Sequence, residues 1–487
     1  MRVLVFLTIP VAGLLMLIGA PDPFGWRFNA GLAAITCGAC MLMMLPVHRL
    51  RRSPGRWRRR LGTTLLMLLL MLAALTGILW TNYHLVVFRP VSVEGWRADL
   101  GALQKALERT PPGLRERAHR CATPELTALS RDLPVLADDQ RLARLIHAIA
   151  CLNDGHTVDF PFFPAANFSP VPLQFRHFDD GWFVTRAAAA QSDLVGLQVV
   201  RIAGLAVEDA YHKIRPYVAA DNESAARVRA PAYMLSPRLW KAIGVSTAVD
   251  GLDLEFASTS GARRAVRLQA TSRLRYLWWY LEPRAWLFPP APPAGSPPSA
   301  ERKRDPWWLT PVTNRKAVYV AFRGVRDRRG ETLTMFGARL LKTAKAMQAD
   351  RIVIDVRDNG GGDNTLFRGF VAALAGSEFN APGRLLVLID GGTFSAATNF
   401  VSTMERQTRT ILVGAPTGSG PNHFGDSRTL VLPRTRIAIQ LSTRWHQFGD
   451  PDDVRTAHEP HVAVRVTSRE YFSGRDAVLE AALDWPS

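Results

Sequence analysis

Short apolar runs alternate with segments of helical spacing along the last third of the chain. Four of the runs have the length of strands and lie at 317–322, 352–356, 385–389 and 411–413. Unbroken apolar runs of this length are typical of parallel strands that are covered on both faces. The segments 332–347 and 396–404 have the apolar spacing of helices. This alternation predicts an α/β layer architecture that begins near residue 315.

The segment 82–165 has a helical pattern instead. Its apolar residues recur at three and four spacing over 96–107 and again over 139–152, which predicts a small helical module. We expect the following stretch, 160–178, to be a packed loop because it is rich in proline and aromatic residues.

A mixed segment, 166–281, then alternates short strands and turns. Its stretch DLVGLQVVRIAGLAVED resembles the ligand-groove portion of a PDZ domain, a module that adds a peptide as a strand to an open sheet edge. The segment 282–306 is rich in proline and predicts a loop or linker. The α/β core then occupies 307–487.

The first 81 residues contain three long apolar stretches, at 3–20, 30–47 and 61–80. Each is close to the roughly 20 residues that a helix needs to cross a bilayer, so the pattern predicts a three-helix membrane anchor. The loop at 48–60 is rich in arginine, and basic loops stay in the cytoplasm. We therefore expect an integral protein of a bacterial-type inner (plasma) membrane, with the N-terminus cytoplasmic and the catalytic part periplasmic.

The net charge of +18 does not predict nucleic-acid binding. The most basic loop lies between two of the predicted spans, where membrane topology and anionic lipid explain its arginines better. Membrane lipid is therefore an expected partner and nucleic acid is not.

Four cysteines are present. Cys37 and Cys40 fall within the second predicted span, whereas Cys121 and Cys151 fall in the part predicted to lie outside the cytoplasm. An oxidising compartment would allow Cys121 and Cys151 to pair, and the alternative is two free buried thiols. The pair would close a loop worth about 3 to 4 kcal/mol on the chain-entropy estimate.

Ser395 lies where the apolar run 385–389 gives way to a predicted helix. A serine at such a turn is raised above the sheet, beside helical N–H groups that have no intrahelical partner, and these can stabilise an oxyanion. The alternative is that Ser395 only caps the helix. Upstream, the run RIVIDVRDNGGGDN places three glycines after a buried strand, where bare N–H groups can face a ligand.

These two stretches resemble the C-terminal-processing (tail-specific) serine peptidases. Five residues match the family's D-x-R-x-N-x-G-G segment, and GTFSAA at 392–397 matches its nucleophile segment; the five are Asp355, Arg357, Asn359, Gly361 and Gly362. The resemblance implies a crotonase-like α/β catalytic core over 307–487. It also implies that Ser395 is the nucleophile and that the N–H groups of Gly361 and Ala396 form the oxyanion hole.

In the best-known branch of that family a lysine is the general base. The position of that lysine falls on Gly420 in this chain, in the stretch TGSGPNHFG, so another base is needed. His156, in NDGHT, resembles the DGHT segment of the branch related to the tricorn protease core and is the predicted base, with His423 as the alternative. Glu459 is the predicted orienting acid, and Asp450, Asp452 and Asp453 are nearby alternatives.

The sequence thus predicts a membrane-anchored serine peptidase that hydrolyses polypeptides outside the cytoplasm. The alternatives are a catalytically inactive member that binds peptides or other ligands, which the missing lysine favours, and an esterase. No metal or organic cofactor is expected, because the groups of His, Cys, Asp and Glu lack metal-ligand spacing.

Overall fold

The structure is a computed structural model that describes residues 55, 57, 60–67, 91–159, 168, 170–271, 297–300 and 305–486. The chain divides into two compact units, Met1–Val87 and Phe88–Ser487. Within the first unit, residues 60–67 are helical.

The membrane prediction needs correction. Within the described ranges, none of the helices has both the length and the apolar character that crossing a bilayer requires. This finding contradicts the predicted integral membrane protein and leaves its membrane-lipid partner unsupported. Of the three predicted spans, the structure describes only residues 61–67, and the rest lies outside the described residues.

The second unit begins with the predicted helical module. Its helices are α1 (Val93–Leu107), α2 (Pro112–Arg117), α3 (Thr123–Asp132) and α4 (Asp138–Ala150). Trp96 and the leucines of α1 are buried against α3. After α4 the chain turns through Asn153–Thr157 into the short strand β1 (Val158–Asp159).

The mixed segment forms an antiparallel sheet with three helices. Its strands are β2 (Leu173–Phe178), β3 (Gly181–Ala187), β4 (Gln198–Ile202), β5 (Leu205–Ala206), β6 (Gly251–Ala257) and β7 (Arg263–Gln269), and its helices are α5 (Val207–Ile214), α6 (Glu223–Met234) and α7 (Pro237–Ala242). The strand order is β2-β3-β4-β6-β7, with β5 paired to β4. Helix α6 packs against both β2 and α5. The expectation of a packed loop over 160–178 was wrong for 173–178, because these residues pair with β3.

The C-terminal part contains the predicted α/β core. Its strands are β8 (Trp307–Val312), β9 (Ala317–Phe322), β10 (Arg351–Asp355), β11 (Leu385–Ile389), β12 (Ile411–Gly414), β13 (Asn422–Gly425), β14 (Arg428–Val431), β15 (Ala438–Leu441), β16 (Arg444–Gln447) and β17 (Val462–Ala463). Its helices are α8 (Leu333–Ala346), α9 (Arg368–Ala375), α10 (Ala396–Gln407), α11 (Ser468–Ser473) and α12 (Ala477–Leu483).

The central sheet of this core has the order β17-β12-β11-β10-β9-β8. Its strands are parallel except β8, which runs antiparallel to β9. One face packs against α8, α9 and α10, and the other against α12. Every residue of β9, β10 and β11 is buried, as the unbroken apolar runs predict.

Two small sheets complete the surroundings of the site. The first has the order β1-β15-β14 and so joins the end of the helical module to the C-terminal part. The second pairs β13 with β16 and places His423 directly opposite His446. The residues that follow Thr157 therefore pair directly with β15 of the C-terminal part.

Candidate active site

Ser395 occupies the turn between β11 and α10. Its φ of 58° and ψ of −128° are unusual for a residue with a side chain. Backbone strain of this kind costs on the order of 1–3 kcal/mol and is maintained where the surroundings over-determine it, often at functional sites. Ser395 is partly exposed, and its carbonyl accepts the N–H of Asn399 at 3.0 Å. The turn therefore presents the hydroxyl as a nucleophile elbow does.

The glycine-rich loop lies against this turn. Gly361 has a φ of 104°, and a Cβ on it would lie 2.7 Å from the Ser395 Cβ and 2.8 Å from the Ala396 nitrogen. A Cβ on Gly362 would collide with the Val325 carbonyl. Glycine is required at both positions because no side chain fits there.

The two predicted oxyanion donors differ in whether their N–H groups already have a hydrogen-bond acceptor. Ala396 begins α10, and within the described part of the chain its N–H donates no hydrogen bond. The N–H of Gly361 instead donates to Asn359 Oδ1 at 2.9 Å, while Asn359 Nδ2 donates to the Phe322 carbonyl at 2.7 Å. One donor is therefore available and the other is held by a buried amide.

His156 lies beside the nucleophile turn, where its ring stacks on Phe394 with centroids 4.3 Å apart. Its backbone is held from both sides, since its N–H donates to Asp154 at 3.0 Å and its carbonyl accepts the Ser427 hydroxyl at 2.8 Å. Both ring nitrogens are buried without a hydrogen-bond partner. Burial, followed by the nearby charge of His423, lowers the pKa of His156 well below its usual value.

His423 is the second imidazole of the site. Its ring lies within 6° of parallel to that of His156, with centroids 5.6 Å apart. His423 Nδ1 is 2.9 Å from the Gly420 carbonyl and donates to it, whereas Nε2 is buried without a partner. Burial lowers the pKa of His423 to about 4, so the ring is neutral at pH 7. Neither imidazole is hydrogen-bonded to Ser395.

The structure explains why no lysine occupies position 420. A Cβ on Gly420 would collide with the Arg455 carbonyl, so a side chain there would displace the neighbouring loop. The same glycine supplies the carbonyl that accepts from His423. The segment that carries a lysine in the other branch therefore supports a histidine in this chain.

The predicted orienting acid is not in the site. Glu459 is exposed, and no hydrogen bond or ion pair of the described residues joins it to either imidazole. Of the alternatives, Asp453 pairs with Arg455, and Asp450 and Asp452 lie on the surrounding loop.

Two buried carboxyl groups support the loop that carries His156. Asp221 Oδ1 accepts the Gly155 N–H at 2.5 Å, and Asp154 Oδ2 accepts the Ser442 hydroxyl at 2.7 Å. Burial, together with the charge of Asp154, raises the pKa of Asp221 to about 7. These groups hold the backbone of the loop rather than the imidazole.

Arg229 of α6 connects this loop to the nucleophile turn. Its Nη1 donates to the carbonyls of Gly155 at 2.9 Å and Ala219 at 2.7 Å. Its guanidinium lies 4.5 Å from the centroid of the Phe394 ring, the same ring on which His156 stacks. The sequence offered no signal for Arg229 or Asp221, whereas Phe394 and Asp154 lie inside the quoted motifs.

The remaining motif residues form a buried ion network beneath the glycine loop. The Asp355 carboxylate accepts from Arg357, Arg323 and the Tyr319 hydroxyl, and Arg357 also pairs with Asp476. Burial alone would raise the pKa of Asp355, but the two guanidinium groups lower it far below its usual value. The motif's Asp and Arg therefore position the loop.

The structure bonds Cys121 to Cys151 as a disulfide, with Cα atoms 6.2 Å apart. Cys151 follows α4 and lies just before the His156 loop. In the described part of the chain no three His, Cys, Asp or Glu residues are grouped as metal ligands would be.

Comparison with known proteins finds solved structures with a similar fold. No protein-family model matches the chain, and no curated protein matches it. Mature CPAF complexed with lactacystin is 14% identical, with a TM-score of 0.56 over 80% of this chain and 98% of CPAF. Mature CPAF without that ligand gives a TM-score of 0.54 at 14% identity, over 80% and 96% of the two chains. The photosystem II D1 C-terminal processing protease also matches, with 13% identity and a TM-score of 0.36 over 79% of this chain and 97% of that protein.

The chain therefore has the α/β fold seen in CPAF. This likeness confirms the predicted α/β core.

Proposed function

We propose that the protein is a serine peptidase that hydrolyses polypeptides with Ser395 as nucleophile and His156 as general base. The observation that carries this proposal is the position of Ser395, which is strained and partly exposed at the start of α10. A buried imidazole is stacked on the residue just before it. The matched family motifs and the shared fold with CPAF support the same activity.

The reaction proceeds by acyl transfer. The neutral imidazole of His156 accepts the Ser395 proton while the serine oxygen bonds to the substrate carbonyl carbon. The Ala396 N–H, preorganised at the helix terminus, stabilises the resulting oxyanion. His156 then donates the proton to the leaving amine, and water repeats the sequence to release the acyl group.

The Gly361 N–H joins this stabilisation when the loop releases it from Asn359. A single oxyanion donor is worth roughly 10²- to 10³-fold in kcat, so this change affects the rate strongly. We infer that substrate binding replaces the Asn359 amide oxygen with the oxyanion.

A catalytically inactive ligand-binding protein is the second candidate. One observation favours it: neither His156 nor His423 is hydrogen-bonded to Ser395. Catalytic hydrogen bonds are often long in unliganded enzymes and tighten when substrate binds, so we place this candidate second.

Activity-based labelling tests the proposal. A labelled fluorophosphonate should modify the wild type, modify Ser395→Ala not at all, and modify His156→Ala at least about 10²-fold more slowly. The wild type should also cleave an unfolded polypeptide such as casein. Labelling without casein cleavage, but with hydrolysis of a small ester, would indicate the esterase. A folded wild type that is not labelled would count against catalysis and favour the ligand-binding protein.

A further inference from the structure

An imidazole that acts as general base needs an acceptor for its second N–H. After it takes the serine proton, the ring carries two N–H groups, and in Ser-His-Asp enzymes a carboxylate accepts from the second. In this chain no carboxylate reaches the His156 ring, because both ring nitrogens lack partners among the described residues. The nearby carboxyl groups of Asp154 and Asp221 accept backbone N–H groups instead.

His423 offers an acceptor in a fixed orientation. Its Nδ1–H donates to the Gly420 carbonyl, which leaves the lone pair on Nε2. That nitrogen is buried and has no partner. Because an unpaired buried acceptor carries a free-energy cost, a donor that arrives there during the reaction would lower the energy of the site.

We propose that His423 is a positioning residue for His156, in the place that a carboxylate takes in other serine peptidases. Ser395, His156 and His423 then form a Ser-His-His series that ends at the Gly420 carbonyl. This inference rests on the proposed peptidase function and specifies how its base is oriented.

In the acylation step every proton can be followed, and no reactant besides the substrate is needed. As the serine oxygen bonds to the carbonyl carbon, its proton moves to one nitrogen of His156. The opposite N–H of His156 donates to His423 Nε2, and that proton stays on His156. When the C–N bond of the substrate breaks, His156 gives its first proton to the leaving nitrogen, and the hydrogen bond to His423 weakens again.

A neutral partner has a consequence for the pH range. A carboxylate would raise the pKa of His156 by its charge, whereas a neutral imidazole does not. The other groups that face the two rings are Arg229 from α6, His446 from β16, whose own partner is Asp426, and the nearby His458. A base in these surroundings remains deprotonated below the usual range of histidine.

Two substitutions of His423 separate positioning from packing. His423→Gln keeps an amide oxygen near the position of Nε2, while His423→Met keeps the bulk and removes the acceptor. Inactivation by fluorophosphonate is followed for both, so that the first-order rate kinact is separated from the binding constant KI. We expect His423→Met to lower kinact roughly 10²-fold with KI unchanged within about threefold, and His423→Gln to recover to within about tenfold of wild type.

His212→Gln is the control, because it also removes an imidazole but at an exposed position on α5. Its kinact should equal that of the wild type, and the thermal midpoints of all variants establish that they are folded.

A measurement on the wild type covers the case in which a variant does not fold. In the phosphonylated protein, NMR should show a hydrogen-bond coupling between a protonated nitrogen of His156 and Nε2 of His423. Absence of that coupling would overturn the proposal, as would an unchanged kinact in a folded His423→Met variant.

The remaining outcomes are also distinguishable. If His423→Met and His423→Gln are both inert while His156→Ala is labelled at the wild-type rate, His423 is itself the base and the positioning role is wrong. If the wild type is not labelled, the peptidase function fails, and the Ser-His-His inference fails with it. If the wild type is labelled and only the His423 comparison fails, the peptidase function stands.

Discussion

His156, the proposed base, has buried ring nitrogens, and its surroundings disfavour its charged form. Burial is the largest cause of its lowered pKa, and repulsion from Arg229 and from the protonated forms of His423 and His446 adds to it. The neutral, proton-accepting form therefore persists to a pH below the usual histidine value of about 6.5. The pH dependence of Ser395 labelling reports this directly.

The first prediction concerns Arg229. Arg229→Met removes a positive charge that lowers the pKa of His156, so that pKa should rise and the acidic limb of the labelling profile should move to higher pH. Arg229→Lys keeps the charge but loses the planar guanidinium over the Phe394 ring, so the rate should fall without that movement. An acidic limb that stays in place in a folded Arg229→Met variant would contradict the electrostatic role.

The second prediction compares neighbouring glycines. Gly361→Ala places a methyl group 2.7 Å from the Ser395 Cβ at a φ of 104°, so labelling should be lost and stability should fall by about 1–3 kcal/mol. Gly360→Ala is the control, because nothing lies within 4 Å of a Cβ there. Equal labelling rates and equal urea midpoints for the two variants would show that the close approach does not matter.

At the scale of elements, helix α6 holds several parts of the site together. Asn222, its N-cap, donates to the Thr417 carbonyl at 2.9 Å, and Ser224 donates to the Pro416 carbonyl at 2.7 Å. Arg229, two turns further on, holds the His156 loop and lies over Phe394. One helix of the mixed segment therefore contacts the loop before β13, the loop that carries His156 and the turn that carries Ser395.

The third prediction concerns the disulfide beside that loop. Replacing Cys121 and Cys151 by serine should lower the free energy of unfolding by about 3 to 4 kcal/mol, because the unfolded chain regains loop entropy. The labelling rate of the folded variant should change by less than about threefold, since Arg117 also holds the carbonyls of Leu152 and Asn153. Urea unfolding and labelling in native buffer check the two parts separately, and a large loss of labelling would show that the disulfide positions His156.

At the scale of the whole molecule, the buried groups of His423 and Asp221 have opposite effects on the free energy of unfolding as the pH falls. His423 has a pKa of about 4 in the folded protein, below its unfolded value, so the unfolded state binds a proton first as pH falls. This destabilises the fold between about pH 6.5 and 4, by roughly 3 kcal/mol. Asp221 acts in the opposite direction, because its pKa of about 7 lies above the unfolded value and protonation relieves its buried charge.

The fourth prediction isolates the histidine contribution. Between pH 7 and pH 4 the wild type should lose about 3 kcal/mol more stability than His423→Gln, which has no imidazole to protonate. Urea unfolding of both proteins across this pH range measures the difference. Parallel stability curves would mean that His423 titrates normally in the folded state.

The sequence determined the local features of this protein. The unbroken apolar runs predicted β9 to β12, and helical spacing predicted α8 and α10, because the periodicity of a buried element is written into consecutive residues. Motif matches gave Ser395, the glycine loop and His156, since each motif lies within one short stretch. The strand β2 was predicted as a packed loop, because the proline and aromatic residues of this stretch obscure the alternation of a strand. Its pairing with β3 shows that it is a strand.

Only the tertiary structure decided how separate stretches act together. It placed His423 beside His156, placed Glu459 outside the site, held the Gly361 N–H on Asn359, and brought Arg229 from α6 to the Phe394 ring. Contacts between residues far apart in the chain depend on how whole elements pack, and no local pattern encodes that packing. The proposed nucleophile was therefore readable from the sequence, whereas the proposed partner of its base was not.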